Sequence, residues 1–118
     1  PFGFGLSYTT FEYSDIKIEN GKETVNVTLK VKNNGLCDGK TVIQVYAGSS
    51  GHQIKLLKGF KKVFTKAGEE ITVSVEIEKD DLKYYNPKIK YWYLEKEYNI
   101  YVGQDSEDAM NNKFELKF

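Results

Sequence analysis

The sequence contains no arginine, one histidine, one cysteine, one methionine and two prolines. The missing arginine removes the side chain that makes most bidentate contacts to bases and phosphates. All 17 basic residues are therefore lysines, balanced by 17 acidic residues for a net charge of zero. Neither a nucleic acid nor an anionic membrane is an expected partner of such a chain. A single cysteine, Cys37, excludes an internal disulfide framework. A lone thiol suits a reducing compartment, so a bacterial cytoplasm is slightly favoured over secretion. No apolar run approaches the roughly 20 residues needed to span a bilayer. No basic stretch leads into an apolar one in the manner of a secretory leader. With one histidine and one cysteine there is no paired ligand spacing for zinc, and neither a metal nor another cofactor is expected.

What is present is a β pattern. The 118 residues are of single-domain size, and 40% hydrophobic content with 14% aromatics supplies a core. Pro1 in place of methionine points to a segment cut from a longer polypeptide. Val25, Val27, Leu29 and Val31 alternate with polar residues over Thr24–Lys32, and Ile71, Val73, Val75 and Ile77 do so over Glu70–Glu78. Tyr98, Ile100 and Val102 make a third such set, and Phe114, Leu116 and Phe118 a fourth. Period two over that length is the mark of a strand with one buried face. Phe11–Glu19 changes phase near Ser14–Asp15, which predicts a bulge, and Thr41–Tyr46 reads as a more central strand. Turn residues fall between the runs at Asn20-Gly21, Asn33-Asn34-Gly35, Gly48–Gly51, Ala67-Gly68 and Gly103–Asp108. Lys79–Tyr85 offers at most one short helical turn. The expected fold is all-β: an immunoglobulin-like, fibronectin type III-like antiparallel sandwich of about seven strands. Tyr98 stands either at a tyrosine corner, its hydroxyl bonded back to the main chain, or simply as a core aromatic.

Candidates for chemistry are sparse. His52 lies in a small-residue loop beside Ser49 and Ser50, with no triad legible around it, so a solvated loop is its ordinary reading. Cys37 has no neighbouring base to activate it. Asp105-Ser106-Glu107-Asp108 offers oxygen ligands but lacks a glycine-pivoted calcium loop and reads as a solvated acidic turn. Asn26-Val27-Thr28 is a formal glycosylation sequon. The richest cluster is aromatic: Tyr84, Tyr85, Tyr91, Trp92 and Tyr93. Tyr84, Tyr85, Tyr91 and Trp92 are candidate sugar contacts, since Tyr and Trp rings stack on sugar faces. Strand alternation sends Trp92 opposite to Tyr91 and Tyr93, with core on one side and the other side exposed or packed on a neighbour, which favours core or domain contact over sugar binding.

The opening Pro1-Phe2-Gly3-Phe4-Gly5-Leu6-Ser7-Tyr8-Thr9-Thr10-Phe11 closely resembles the segment leading into the C-terminal fibronectin type III-like domain of glycoside hydrolase family 3, the β-glucosidase family. Val31–Gly35, Gly39–Tyr46, Leu57–Val63, Gly68-Glu69, Asp81-Leu82 with Tyr85, and Tyr98–Gly103 continue the likeness. Glu95-Lys96-Glu97 departs from it, where the family often has glycine. The resemblance implies an arm over Pro1–Phe11 arriving from a catalytic domain, then a fibronectin type III-like domain over Glu12–Phe118. It implies a parent enzyme that is a retaining β-glycosidase whose nucleophile and acid/base lie in other domains, so no residue of this chain is expected to be catalytic. Phe2, Phe4, Leu6, Tyr8 and Phe11 are then candidate contacts with the catalytic domains of the same polypeptide. A carbohydrate-binding module and a free-standing adhesion or interaction module are the alternatives.

Overall fold

The computed structural model describes residues 10–49 and 55–118. Phe2, Phe4, Leu6, Tyr8 and His52 lie outside the described residues. Strands β1 (Phe11–Asn20), β2 (Thr24–Asn33) and β5 (Glu70–Glu78) form one sheet in the order β1-β2-β5. Strands β3 (Gly39–Ser49), β4 (Leu56–Thr65), β8 (Glu97–Gly103) and β9 (Lys113–Lys117) form the other, in the order β9-β8-β3-β4. All pairings are antiparallel. These seven strands are the expected sandwich. Two short strands, β6 (Tyr84–Asn86) and β7 (Tyr91–Tyr93), pair separately, so the described residues hold nine strands rather than seven.

The alternating runs become the core. Val25, Val27, Leu29 and Val31 of β2 are fully buried, facing Ile43 and Val45 of β3 and Ile100 and Val102 of β8 in one cluster. Burying each such side chain contributes roughly 1.5–3 kcal/mol. The phase change expected in β1 is a register shift between Ser14 and Lys17, with Asp15 at φ 50. There a small polar residue is among the few that tolerate left-handed backbone. The Asn20-Gly21 hairpin is closed by the Gly21 amide donating to the Thr24 carbonyl at 2.9 Å.

Two features tie the ends of the sandwich. Buried Asn33 donates through Nδ2 to the carbonyls of Cys37 at 2.9 Å and Thr65 at 3.4 Å, and its Oδ1 accepts from the Gly35 amide at 2.8 Å. The acidic turn expected at Asp105–Asp108 is instead the start of a five-residue helix, α1 (Ser106–Met110). Asp105 caps it by accepting from the Asp108 amide at 2.8 Å, and Asp108 accepts in turn from the Gln104 amide at 2.9 Å. The Asp105 carboxylate thus takes up a main-chain donor that the helix N-terminus leaves unpaired, and the Asp108 carboxylate one from the residue before the cap.

Candidate interaction surfaces

The β6–β7 hairpin divides the aromatic cluster as strand alternation requires. Tyr84 pairs with Tyr93 and Tyr85 with Trp92 across the two strands. On the inner side Tyr84 stacks on buried Tyr98, ring centroids 6.1 Å apart and planes within 7°. Its hydroxyl also accepts from the Ser49 amide at 2.9 Å. Tyr98 in turn donates from its hydroxyl to the Leu82 carbonyl at 2.6 Å and accepts from the Glu95 amide at 3.1 Å. Of its two readings, the back-bonded corner is the one seen; burial pushes its hydroxyl above the usual tyrosine range. On the outer side Tyr85 and Trp92 are half-exposed and lie 5.2 Å apart with their planes tilted by 58°. Tyr91, one residue before Trp92 in β7 and so on the opposite side, is exposed as well. A flat platform for a sugar ring needs coplanar faces, and these two rings lean on one another instead.

Of the candidate domain contacts, Phe11 is described. It opens β1 opposite Asn33, packs partly against the core, and its carbonyl accepts from Gln104 Nε2 at 2.9 Å. Cys37 is exposed on the turn after β2. Among the described residues no group of three His, Cys, Asp or Glu side chains is placed to hold a metal ion.

A second surface was not anticipated from the sequence. β4 is an edge strand of the four-stranded sheet. A Cβ placed on Gly59 would lie 3.2 Å from Val75 and 3.4 Å from Ile77, so position 59 faces inward and Phe60, Lys62 and Phe64 face out. Phe60 and Phe64 are 61% and 60% exposed, too much for random spacing to excuse on one strand face. The spacing of two phenylalanines four apart, with a lysine between, is the signal that was available.

The profile of the fibronectin type III-like domain family matches residues 41–106. Thermostable β-glucosidase B of Acetivibrio thermocellus is 44% identical over 119 residues, covering 93% of this chain and 16% of that protein. The periplasmic β-glucosidase of Salmonella typhimurium is 40% identical, with 98% of this chain and 16% of that protein covered. The chain therefore spans about one-sixth of the length of these curated relatives. The crystal structure of the Bifidobacterium adolescentis GH3 β-glucosidase superposes with a TM-score of 0.84 at 33% identity, over 100% of this chain and 18% of that one. The chain belongs to the fibronectin type III-like domain family, in the form found within glycoside hydrolase family 3 β-glucosidases.

Proposed function

We propose that this chain is a non-catalytic module of a family 3 β-glycosidase, held against the catalytic domains of the same polypeptide. The observation that carries this reading is coverage: nearly the whole chain aligns with about one-sixth of each relative, which leaves most of the polypeptide for the chemistry. A retaining glycosidase needs two carboxyl groups about 5 Å apart across the sugar, supplied in this reading by other domains. The arm over Pro1–Phe11 joins the module to them. Its apolar residues Phe2, Phe4, Leu6 and Tyr8 recur with period two, which an extended segment presents to one side.

The purified 118-residue chain incubated with an aryl β-glucoside is expected to release no product. Turnover abolished by a point substitution in this chain would overturn the reading. Removing residues 1–8 from the whole polypeptide is expected to lower its thermal midpoint while the isolated sandwich stays folded.

Carbohydrate capture is the second reading, favoured by the exposure of Tyr85, Tyr91 and Trp92. The 58° tilt between Tyr85 and Trp92 weighs against it. Calorimetry against cellulose, xylan and laminarin decides: heat of binding lost in Trp92→Ala, with the fold retained, would favour capture.

A further inference from the structure

Four of the large apolar side chains that stand exposed belong to a single strand: Leu56, Leu57, Phe60 and Phe64 of β4. A register shift between Val45 and Tyr46 decides how they are aimed. On one side of it Gly59 pairs with Val45; on the other, Leu57 pairs with Tyr46 and Leu56 with Ala47. The extra residue, Lys58, is a bulge, and bulges re-aim side chains. Leu56 turns inward with buried Ala47, lining a small cavity with Leu82, Tyr84 and Tyr98. Leu57 turns outward with Tyr46, onto the face that carries Phe60 and Phe64. Three apolar side chains then lie along roughly 23 Å of that face, at about 3.3 Å per residue over residues 57–64, with Lys62 between Phe60 and Phe64.

Lysines dominate the strand that carries this stripe. Lys61, however, turns away to the Ser74 carbonyl, and the carboxylates of Asp38 and Glu69 bond the Ala67 and Lys66 amides just beyond the Phe64 end. In a chain of zero net charge, no Asp or Glu occurs between Asp38 and Glu69, while Lys40, Lys55, Lys58, Lys61, Lys62 and Lys66 do. Lys40 and Lys62 lie in the two paired strands, where Lys40 faces Phe64 and Lys62 faces Val42. An exposed apolar stripe with polar surroundings marks an interaction site. A mainly basic outward face, with Lys40 and Lys62 on it, favours a partner surface that carries carboxylates.

The stripe also lies where a covalently joined partner would meet it. The Asn34 amide donates to the Thr10 carbonyl at 2.7 Å, and Asn33 Nδ2 reaches the Thr65 carbonyl next to Phe64. The chain preceding Thr10 therefore enters at the Phe64 end of β4. The hairpin with Trp92 is at the other end, beside Ser49 and Tyr98. A tether raises the effective concentration of the surfaces nearest its attachment.

We propose that the outward face of β4, with Leu57, Phe60 and Phe64 interleaved with Lys62 and flanked by Lys40, docks onto an apolar surface bearing carboxylates on the rest of the same polypeptide. This rests on the reading of the chain as a module of a larger glycosidase. Three large apolar side chains bury together there, and Lys40 and Lys62 meet carboxylates across it.

The test uses the whole polypeptide and the 118-residue chain side by side. Amide exchange over residues 56–65 is expected to be slower in the whole polypeptide than in the chain alone. In Phe60→Ser/Phe64→Ser that protection is lost, while the isolated variant keeps its thermal midpoint because both side chains are exposed. With the chain supplied separately to the remaining polypeptide, binding should weaken by roughly tenfold or more for each phenylalanine and with added salt. Trp92→Ser should leave binding unchanged. Protection confined to the β6–β7 hairpin would overturn the proposal and leave the module reading standing. Equal exchange over 56–65 in both forms, or a concentration-dependent dimer of the isolated chain that the double variant abolishes, would overturn it as well. A flanking sequence without catalytic domains would instead overturn the module reading, and the proposal with it.

Discussion

The hydroxyl of Tyr98 donates to the main-chain carbonyl of Leu82 at 2.6 Å, joining the first strand residues of β8 to the short helical turn that ends at Leu82. The same oxygen accepts from the Glu95 amide, so one phenol satisfies a donor and an acceptor of two separate connections. Both Tyr98 and Leu82 are buried. Tyr98→Phe keeps the ring stacked on Tyr84 but leaves both main-chain groups without this partner. An unpaired buried polar group costs about 1–3 kcal/mol. Denaturant unfolding should show a midpoint lowered by a loss in that range, with an unchanged slope. A midpoint equal to that of the parent chain would mean that ring packing alone holds this corner.

Gly103 ends β8 directly beneath α1. A Cβ at this position would lie 2.3 Å from the Ala109 amide nitrogen and 2.6 Å from its Cα, which are backbone atoms that cannot rotate away. Gly103→Ala must lift α1 from the sheet or bend the strand. Overpacking of this kind costs about 1–3 kcal/mol. The expected result is a lower thermal midpoint, with faster amide exchange at Ala109 and Asn111, whose amides bond to the Asp105 and Asp108 carbonyls. Retention of that protection would show that α1 moves as a unit.

The strands that could be read from the sequence are those whose one buried face enforces strict alternation. β2 and β5 are of this kind, since a one-residue slip would turn Val27 or Val75 out to water. β4 does not alternate because the Lys58 bulge shifts its phase and two of its aromatics face outward. The split of Tyr84 and Tyr93 from Tyr85 and Trp92 followed from period two alone. Helix α1 is barely more than one turn, too short for a periodic signal. Its causes are a local cap at Asp105 and the bare backbone of Gly103 against Ala109, and only the second is a tertiary fact. The outward stripe on β4 required knowing which strand lies at a sheet edge, and local pattern carries no such information.

Tyr13 hydrogen-bonds Thr41 Oγ1 across the two sheets at 2.7 Å, and burial pushes its hydroxyl up from 10.0 to about 12, Asp108 adding to the rise and the Thr41 bond opposing it. The folded protein thus holds the proton more tightly than the unfolded chain does. Its contribution to stability is complete below pH 10 and is lost as pH rises toward about 12. Partial exposure limits the loss to on the order of 1–2 kcal/mol. Tyr13→Phe should therefore flatten part of the fall in unfolding free energy between those pH values. Identical slopes for the two proteins would show that Tyr13 titrates alike in both states.

Thr65 ends β4 fully buried, and its hydroxyl has no hydrogen-bond partner among the described residues. Its main-chain carbonyl is occupied by Asn33 Nδ2, so the local backbone is already fixed without the side-chain oxygen. Valine has nearly the same shape and the same preference for strands. Replacing an unpaired buried hydroxyl with a methyl group removes a desolvation cost of about 1–3 kcal/mol. Thr65→Val should accordingly raise the unfolding midpoint, whereas Asn33→Ala, which frees three bonded groups at the same site, should lower it. Because Asn33 Nδ2 bonds the Thr65 carbonyl, the two sites are in contact, and the double variant should depart from additivity by about 0.5–3 kcal/mol. A loss of stability in Thr65→Val would show that its hydroxyl has a partner in solution.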